Sequence, residues 1–316
     1  MPGLVSIIIP VHNATGFIQE TINSCLQQSY SDLELILVEN GSTDGSWSVI
    51  DSINDKRIRP FQLKIGNAAA ARNYGFEKSR GDYIMFLDAD DVLATNKIEK
   101  QIKALQKKPH GWIASCAWAK FTDNMQQAKI EEQAVWKIQS PLDWCVNALD
   151  GKGMMIPGCW LIPKSIIKKS GLWDETLTLH DDGEFMLRVL LASKGNVFVD
   201  GTVVYYRQVP GSLSRKNKNL KAAKSAYSVA KSYEEHLLKF KYSREVRRVL
   251  AKNYCQFIYE YHPKHSTLIK KAKIRLQQLN IKPLPLVGSE KFKWLTKCFG
   301  FYNSLKIVAI ARTFKY

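Results

Sequence analysis

The chain has 316 residues, 45% apolar and 24% charged, which suits one large or two modest globular domains with a buried core and excludes a disordered or fibrous chain. No stretch reaches the ~20 uninterrupted apolar residues of a membrane-spanning helix, and MPGLVSIIIP lacks the basic start and cleavage site of a secretory leader, so the sequence predicts a cytosolic protein. The net charge of +17 is segregated: residues 1–215 hold 23 Lys+Arg against 24 Asp+Glu, whereas residues 216–316 hold 23 against 5. That pattern reads as a near-neutral body followed by a basic appendage, either solvated or facing an anionic partner such as lipid, nucleic acid or a phosphorylated substrate. The six cysteines are widely spaced with no CxxC pair and read as reduced thiols.

The first half alternates strand and helix signals, the pattern of a mostly parallel sheet covered by helices. LVSIIIPV (4–11) is a buried-strand run, followed by a helix over 15–28 whose Phe17, Ile18, Ile22, Cys25 and Leu26 form one stripe. LELILVE (33–39) is a second strand, stopped by the loop NGSTDGS. A helix over 44–53, a strand over 58–63, a helix over 68–79 and a strand over 82–88 complete three βα units. Beyond them the pattern predicts a helix over 96–107, a strand over 112–119, a polar loop over 122–134, helices over 163–170 and 183–193, and one or two strands in VFVDGTVVYYRQ. VPGSLSRKNKN reads as a linker, and 220–240 and 243–261 as amphipathic helices with basic outer faces.

In open α/β sheets ligands bind beyond the carboxyl ends of strands. Pro10 to Asn13, Glu39 to Asp44 and Asp88 to Asp91 all fall there. Asp88, Asp90 and Asp91 crowd three carboxylates into four positions, which raises their pKa values unless a cation balances them. Asp88 and Asp90 suit a hard divalent cation that shares its remaining positions with substrate phosphates; alternatively the loop supplies only acidic helix caps. HDDGEF places Asp181 and Asp182 together, either with one carboxylate in reach of a substrate proton or as the negative start of the helix that runs on from Gly183.

VSIIIPVHN, LILVENGSTDGS, NAAAARNYGFEKSRGDYIMFLDADD and GLWDETLTLHDDGEFMLR occur in this order over residues 3–215, and together they resemble the family-2 glycosyltransferases of the GT-A fold. The resemblance implies a Rossmann-like mixed sheet with flanking helices over 1–215, with a nucleotide-binding half (1–92) and an acceptor half (93–215), plus a basic helical region over 216–316. It implies a nucleotide-sugar donor, a UDP-sugar favoured, and an Mn²⁺ or Mg²⁺ ion. Pro10, Val11 and Asn13 would line the nucleoside; Glu39 and Asn40 would sit at base and ribose. The pair Glu39-Asn40 departs from the family's commoner two aspartates, putting an amide where a carboxylate usually meets the base. Arg72 would pair with Asp88 or Asp90, or else touch phosphate.

By the same resemblance Asp90 is a metal ligand, Asp88 a ribose or metal contact, and Ala89 and Asp91 line the donor, with helix capping the alternative for Asp91. Asp182 is the general base, Asp181 its neighbour and Arg188 the motif's arginine. Arg207, Ser212 and Ser214, in YYRQVPGSLS, are candidates to fold over the diphosphate. Trp160 reads as core or as acceptor-pocket wall. The expected reaction is inverting transfer of one sugar to a glycan or lipid-linked glycan in cell-surface polysaccharide biosynthesis, since neither spanning helices nor a Gln-x-x-Arg-Trp signature is present. The alternative is a catalytically degenerate binding or scaffolding protein. The basic tail is expected to hold the enzyme on the inner face of the cell membrane through anionic lipid rather than to bind nucleic acid; a homodimer is left open.

Overall fold

The computed structural model describes residues 3–209 and 219–313. The first compact unit is built on strand β1 (Val5–Val11), whose residues are nearly all buried, as in a strand covered on both faces. The elements that follow are α1 (Ile18–Leu26), β2 (Leu33–Glu39), α2 (Ser46–Asp51), β3 (Ile58–Gln62), α3 (Ala68–Lys78), β4 (Tyr83–Phe86), β5 (Val92–Leu93) and α4 (Lys97–Gln106). Next come β6 (Trp112–Phe121), β7 (Lys129–Ile130), α5 (Pro141–Leu149), β8 (Ile162–Pro163), α6 (Lys164–Ser170), α7 (Asp181–Ala192) and β9 (Gly195–Arg207).

Two sheets result. The first has the order β3-β2-β1-β4-β8, parallel except for β8, and the second the order β5-β9-β6-β7. β1 pairs with β2 through Val11 but with β4 only through Ile8. Pro10, which has no N–H to give, therefore lies where the β4 side of the ladder has already ended. α3 crosses the sheet at Gly75, where an added Cβ would lie 2.4 Å from Ile8 Cγ2. That close approach seats the helix carrying Arg72 low over the carboxyl ends of β1 and β4.

The expected βα units are present, with ends trimmed by a few residues. The segment 195–207 is one strand, not two. The loop expected over 122–134 holds a 3₁₀ turn and the short β7. α5, which starts at Pro141, was not expected. Trp160 is a core residue, 1% exposed and edge-on to Trp144, which removes the acceptor-wall alternative. All six cysteines are free thiols, five of them buried.

The second compact unit contains residues 148–151, 176–180 and the helices α8 (Leu220–Phe240), α9 (Arg244–Tyr261), α10 (Ser266–Gln278), α11 (Glu290–Phe299) and α12 (Phe301–Thr313). Its apolar core includes Val229, Leu237, Val249, Leu250, Ile258 and Leu276. Inside that core Glu234 accepts from the Tyr254 hydroxyl (2.6 Å) and from both Nε and Nη2 of Arg275 (3.0 and 2.5 Å), tying α8, α9 and α10 together. A buried carboxylate needs this degree of satisfaction to be tolerated. Among the described residues no helix is long and apolar enough to cross a membrane.

Candidate active site

Three loops meet at the carboxyl ends of β1, β2 and β4. The first two clamp each other. Asn13 adopts a left-handed φ of 50°, its amide N–H donates to Ser42 Oγ (3.1 Å) and its Oδ1 accepts from Thr43 N–H (2.8 Å). Asp44 accepts from Thr15 N–H and from both N–H and Oγ–H of Ser46, which holds its carboxyl below the usual range against the cost of burial. Glu39 accepts the Ser42 N–H (2.5 Å) and is buried. Val11 is fully buried, and its carbonyl accepts the Asn40 N–H (2.9 Å).

Asn40 corrects the sequence expectation. Its Oδ1 accepts from Ile65 N–H (3.1 Å) and Gly66 N–H (2.9 Å), and its Nδ2 donates to Asn67 O (2.8 Å). The amide is 3% exposed. Its donor and acceptor capacity goes to pinning the turn at 65–67, not to a base. Asn67 then caps α3 by accepting the Ala70 N–H (3.2 Å).

Arg72, one turn into α3, gathers the acidic residues. Nη2 donates to Asp88 Oδ1 (2.9 Å), Nη1 donates to Asp181 Oδ2 (3.2 Å), and Asp182 Oδ1 lies 3.6 Å from Nη1. Its guanidinium lies 4.4 Å over Trp173, which stacks on Phe185 at 4.2 Å. Burial opposes the arginine's charge, but Asp182, Asp88 and Asp181 outweigh it and hold the group cationic, with its pKa raised. Trp173 is placed by Asn73, which accepts its N–H (3.0 Å) and donates to its carbonyl (3.0 Å). No periodicity marks Trp173 as part of the site; only the fold brings it under Arg72.

Asp181 and Asp182 occupy the first turn of α7, where the helix dipole favours negative charge. Asp182 is asymmetric. Its Oδ1 is enclosed without a hydrogen-bond partner, yet the side chain as a whole is 43% exposed, so Oδ2 is the open oxygen. Burial, opposed by Arg72 and reinforced by Asp181 and Asp88, pushes its pKa up to about 7. Arg188 is not presented to the site: it chelates Glu184 (2.8 and 2.7 Å) and donates to Ser170 O and Leu172 O.

The loop after β4 is anchored through its backbone. Thr21 Oγ1 donates to Ala89 O (2.9 Å). Asp88 is 30% exposed and keeps Oδ2 clear of its Arg72 bond. Burial first and Asp88 second push Asp90 up to about 6, with Arg207 pulling the other way. A half-buried carboxylate lifted by a second one beside it fits a divalent cation. Among the described residues no cluster of three ligating side chains exists, and Asp88 and Asp90 stand here as a pair.

Asp91 and Arg207 also depart from expectation. Asp91 has no exposed surface; its Oδ1 accepts the Arg207 N–H (3.2 Å), and burial with Asp88 and Asp90 nearby raises its pKa. It fixes the end of β9 and is not presented to a donor sugar. Arg207 is buried as well: Nε donates to Asp90 O (3.0 Å), Nη1 to Thr122 O (3.4 Å) and Nη2 to Glu20, with Phe121 and Phe17 against its guanidinium at 4.4 and 5.1 Å. It holds the acidic loop and does not fold over a diphosphate. Ser212 and Ser214 lie outside the described residues.

The model of "Glycosyl transferase family 2" matches residues 6–171. A pneumococcal protein, glycosyltransferase GlyG of Streptococcus pneumoniae, is 28% identical over 247 residues, 72% of this chain and 79% of that protein. An uncharacterized glycosyltransferase of Haemophilus influenzae is 47% identical over 120 residues, 36% of this chain and 48% of its own, so the match spans about half of that relative. Another from Rickettsia typhi is 33% identical over 208 residues, 65% of this chain and 64% of its own. Among solved structures, residues 1–349 of Staphylococcus aureus TarS in complex with UDP-GlcNAc superimpose with a TM-score of 0.71 at 14% identity, covering 98% of this chain and 91% of that one. The family model spans more than half of the chain and the fold agrees with it: the chain belongs to glycosyl transferase family 2 and has the GT-A fold.

Proposed function

We propose that this protein transfers a single sugar, with inversion at the anomeric carbon, from a UDP-sugar to a glycan or lipid-linked glycan acceptor during assembly of a cell-surface polysaccharide. The observation that carries this reading is Asp182, with one oxygen turned to Arg72, the other open, and a pKa near neutrality. Inverting displacement needs a base that takes the acceptor hydroxyl proton as its oxygen attacks opposite the leaving group. Asp182 takes that proton on Oδ2. Arg72, whose Nη1 lies 3.6 Å from Oδ1, favours the ionised form of this carboxylate.

Asp88 and Asp90 would hold Mn²⁺ or Mg²⁺, which when bound neutralises the departing nucleoside diphosphate. Pro10, Val11 and Asn13, with Glu39 and the 41–44 loop, form the nucleoside side, and the stiff hydrogen bonding between these loops fits a preformed pocket. TarS, of like fold, was solved with UDP-GlcNAc and with UDP, which supports a uridine diphosphate donor. Asp182→Asn should leave metal-dependent UDP-GlcNAc binding within about two-fold while lowering transfer by about 10³-fold. Asp90→Ala should weaken that binding itself. Near-normal turnover in Asp182→Asn would overturn the base assignment.

The basic C-terminal helices would hold the enzyme on anionic lipid. α11 and α12 expose Trp294, Phe299, Tyr302, Ile307 and Ile310 alongside Lys291, Lys297 and Lys306. Aromatic and aliphatic groups among lysines match a bilayer interface with a negative surface. Co-sedimentation with phosphatidylserine vesicles that weakens as salt rises is the expected result; equal binding to neutral vesicles would contradict it.

A further inference from the structure

A second recess lies on the small sheet, apart from the acidic rim. Its origin is a break in register. β6 and β9 pair in step up to Cys116↔Val199, and pairing resumes at Ala117↔Val203, so Asp200, Gly201 and Thr202 bulge out of the ladder. Bulges of this kind re-aim side chains and recur beside functional sites. This one is held in place: Lys100 Nζ donates to Gly201 O (2.7 Å), and Gly201 has a left-handed φ of +72°, which favours glycine. All three bulged residues line a cavity of about 760 Å³, within the range of about 300–1,000 Å³ of small-molecule sites.

The lining is mixed in a specific way. On one wall Trp136 stacks on Phe198, with ring centroids 5.6 Å apart and planes 16° from parallel. Trp136 and Thr202 are themselves buried, and the half-buried Phe198, Tyr205, Gln133 and Asn96 bring ring and amide groups to the cavity surface. At the mouth stand Glu132, Asp200 and Lys137, all exposed. Two acids against one base do not favour an anionic ligand. A sugar fits these features, because its rings present C–H faces to aromatic groups and hydroxyls, both donors and acceptors, to polar atoms.

The position ties the cavity to the acidic loop. Tyr205, on its wall, pairs with Val92 two residues beyond Asp90, and two residues further along β9 Arg207 binds the Asp90 carbonyl. At ~3.3 Å per strand residue that separation is about 7 Å along the strand. We infer that this cavity is a second carbohydrate site that holds a neutral segment of the acceptor glycan away from its reacting end. The inference rests on the acceptor being a glycan.

The full-length protein, applied to an array of neutral and anionic oligosaccharides with the best neutral binder then titrated by calorimetry, provides the test. Wild type should bind a neutral oligosaccharide. Gln133→Ala and Phe198→Ala should weaken it at least ten-fold and Glu132→Ala and Asp200→Ala several-fold, with metal-dependent UDP-GlcNAc hydrolysis unchanged in all four. Glu132 and Asp200 are exposed, so their variants carry the test should either of the other two fail to fold. Absence of any neutral binder, preference for anionic glycans, or binding unmoved by the four substitutions would overturn the proposal. Failure of the transferase reading would show separately, as glycan binding without donor hydrolysis in the wild type.

Discussion

Two buried arginines flank the loop of residues 88–91, and their side chains are almost equally enclosed, 6% exposed for Arg72 and 8% for Arg207. Arg72 faces Asp88, Asp181 and Asp182, each of which keeps part of its carboxylate at the rim. Arg207 faces a backbone carbonyl on either side, an exposed glutamate and two aromatic rings, and beside it Asp91 is sealed. One arginine gathers acids that stay open at the rim; the other fixes the strand end that supports them. The contrast shows that proximity to an acidic motif does not by itself bring a side chain to the rim.

Substitutions should separate the two. Arg72→Ala leaves three carboxylates around an uncompensated site, and we expect a stability loss of about 3–5 kcal/mol, read by urea denaturation, and loss of transfer by more than about 10³-fold. Arg207→Met should cost a smaller ~2–3 kcal/mol from its lost ion pair and carbonyl hydrogen bonds, with the donor KM shifted by less than about ten-fold. Equal losses of donor binding in both variants would erase the distinction drawn here. Asn40→Ala should come next, about 1–2 kcal/mol and a several-fold weaker donor Kd, because the 65–67 turn loses its pin while no base contact is removed.

The smallest effect concerns Asp90 in the metal-free protein. Its folded-state pKa is raised to about 6, so the native carboxyl holds its proton longer than the unfolded one. Stability therefore declines as pH rises from about 4 through about 6. Asp90→Asn should be more stable than wild type at pH 8 by about 1 kcal/mol, discounted for partial exposure, and equal to it near pH 4. Thermal melts at both pH values check the sign.

Much of this was legible in the sequence, and the rest was hidden for physical reasons. Continuous apolar runs such as LVSIIIPV announce buried parallel strands, and the acidic clusters fall at their carboxyl ends because loops gather there. α10, α11 and α12 were not separated within the basic tail, since Lys270, Lys271, Lys273 and Arg275, and then Lys291, Lys293 and Lys297, are set closely among the apolar positions. Nor could the direction of Asp91 be read, because Asp90 and Asp91 are chemically alike and only the return of β9 decides which faces inward. Arg72 meets Asp181 across 109 positions, a separation that local pattern does not bridge. Asn40 looked like a ligand contact because its neighbours are; its bonds to the 65–67 turn depend on β3 lying beside β2.

The most direct test of the base is the pH dependence of kcat/KM for the acceptor, which reports ionisation in the free enzyme. With Asp182 pushed up to about 7, wild-type kcat/KM should fall as pH drops below about 7, approaching ten-fold per unit, and the residual activity of Asp182→Asn should lose that limb. A wild-type profile flat from pH 5.5 to 8, or a limb that persists in Asp182→Asn, would contradict the account.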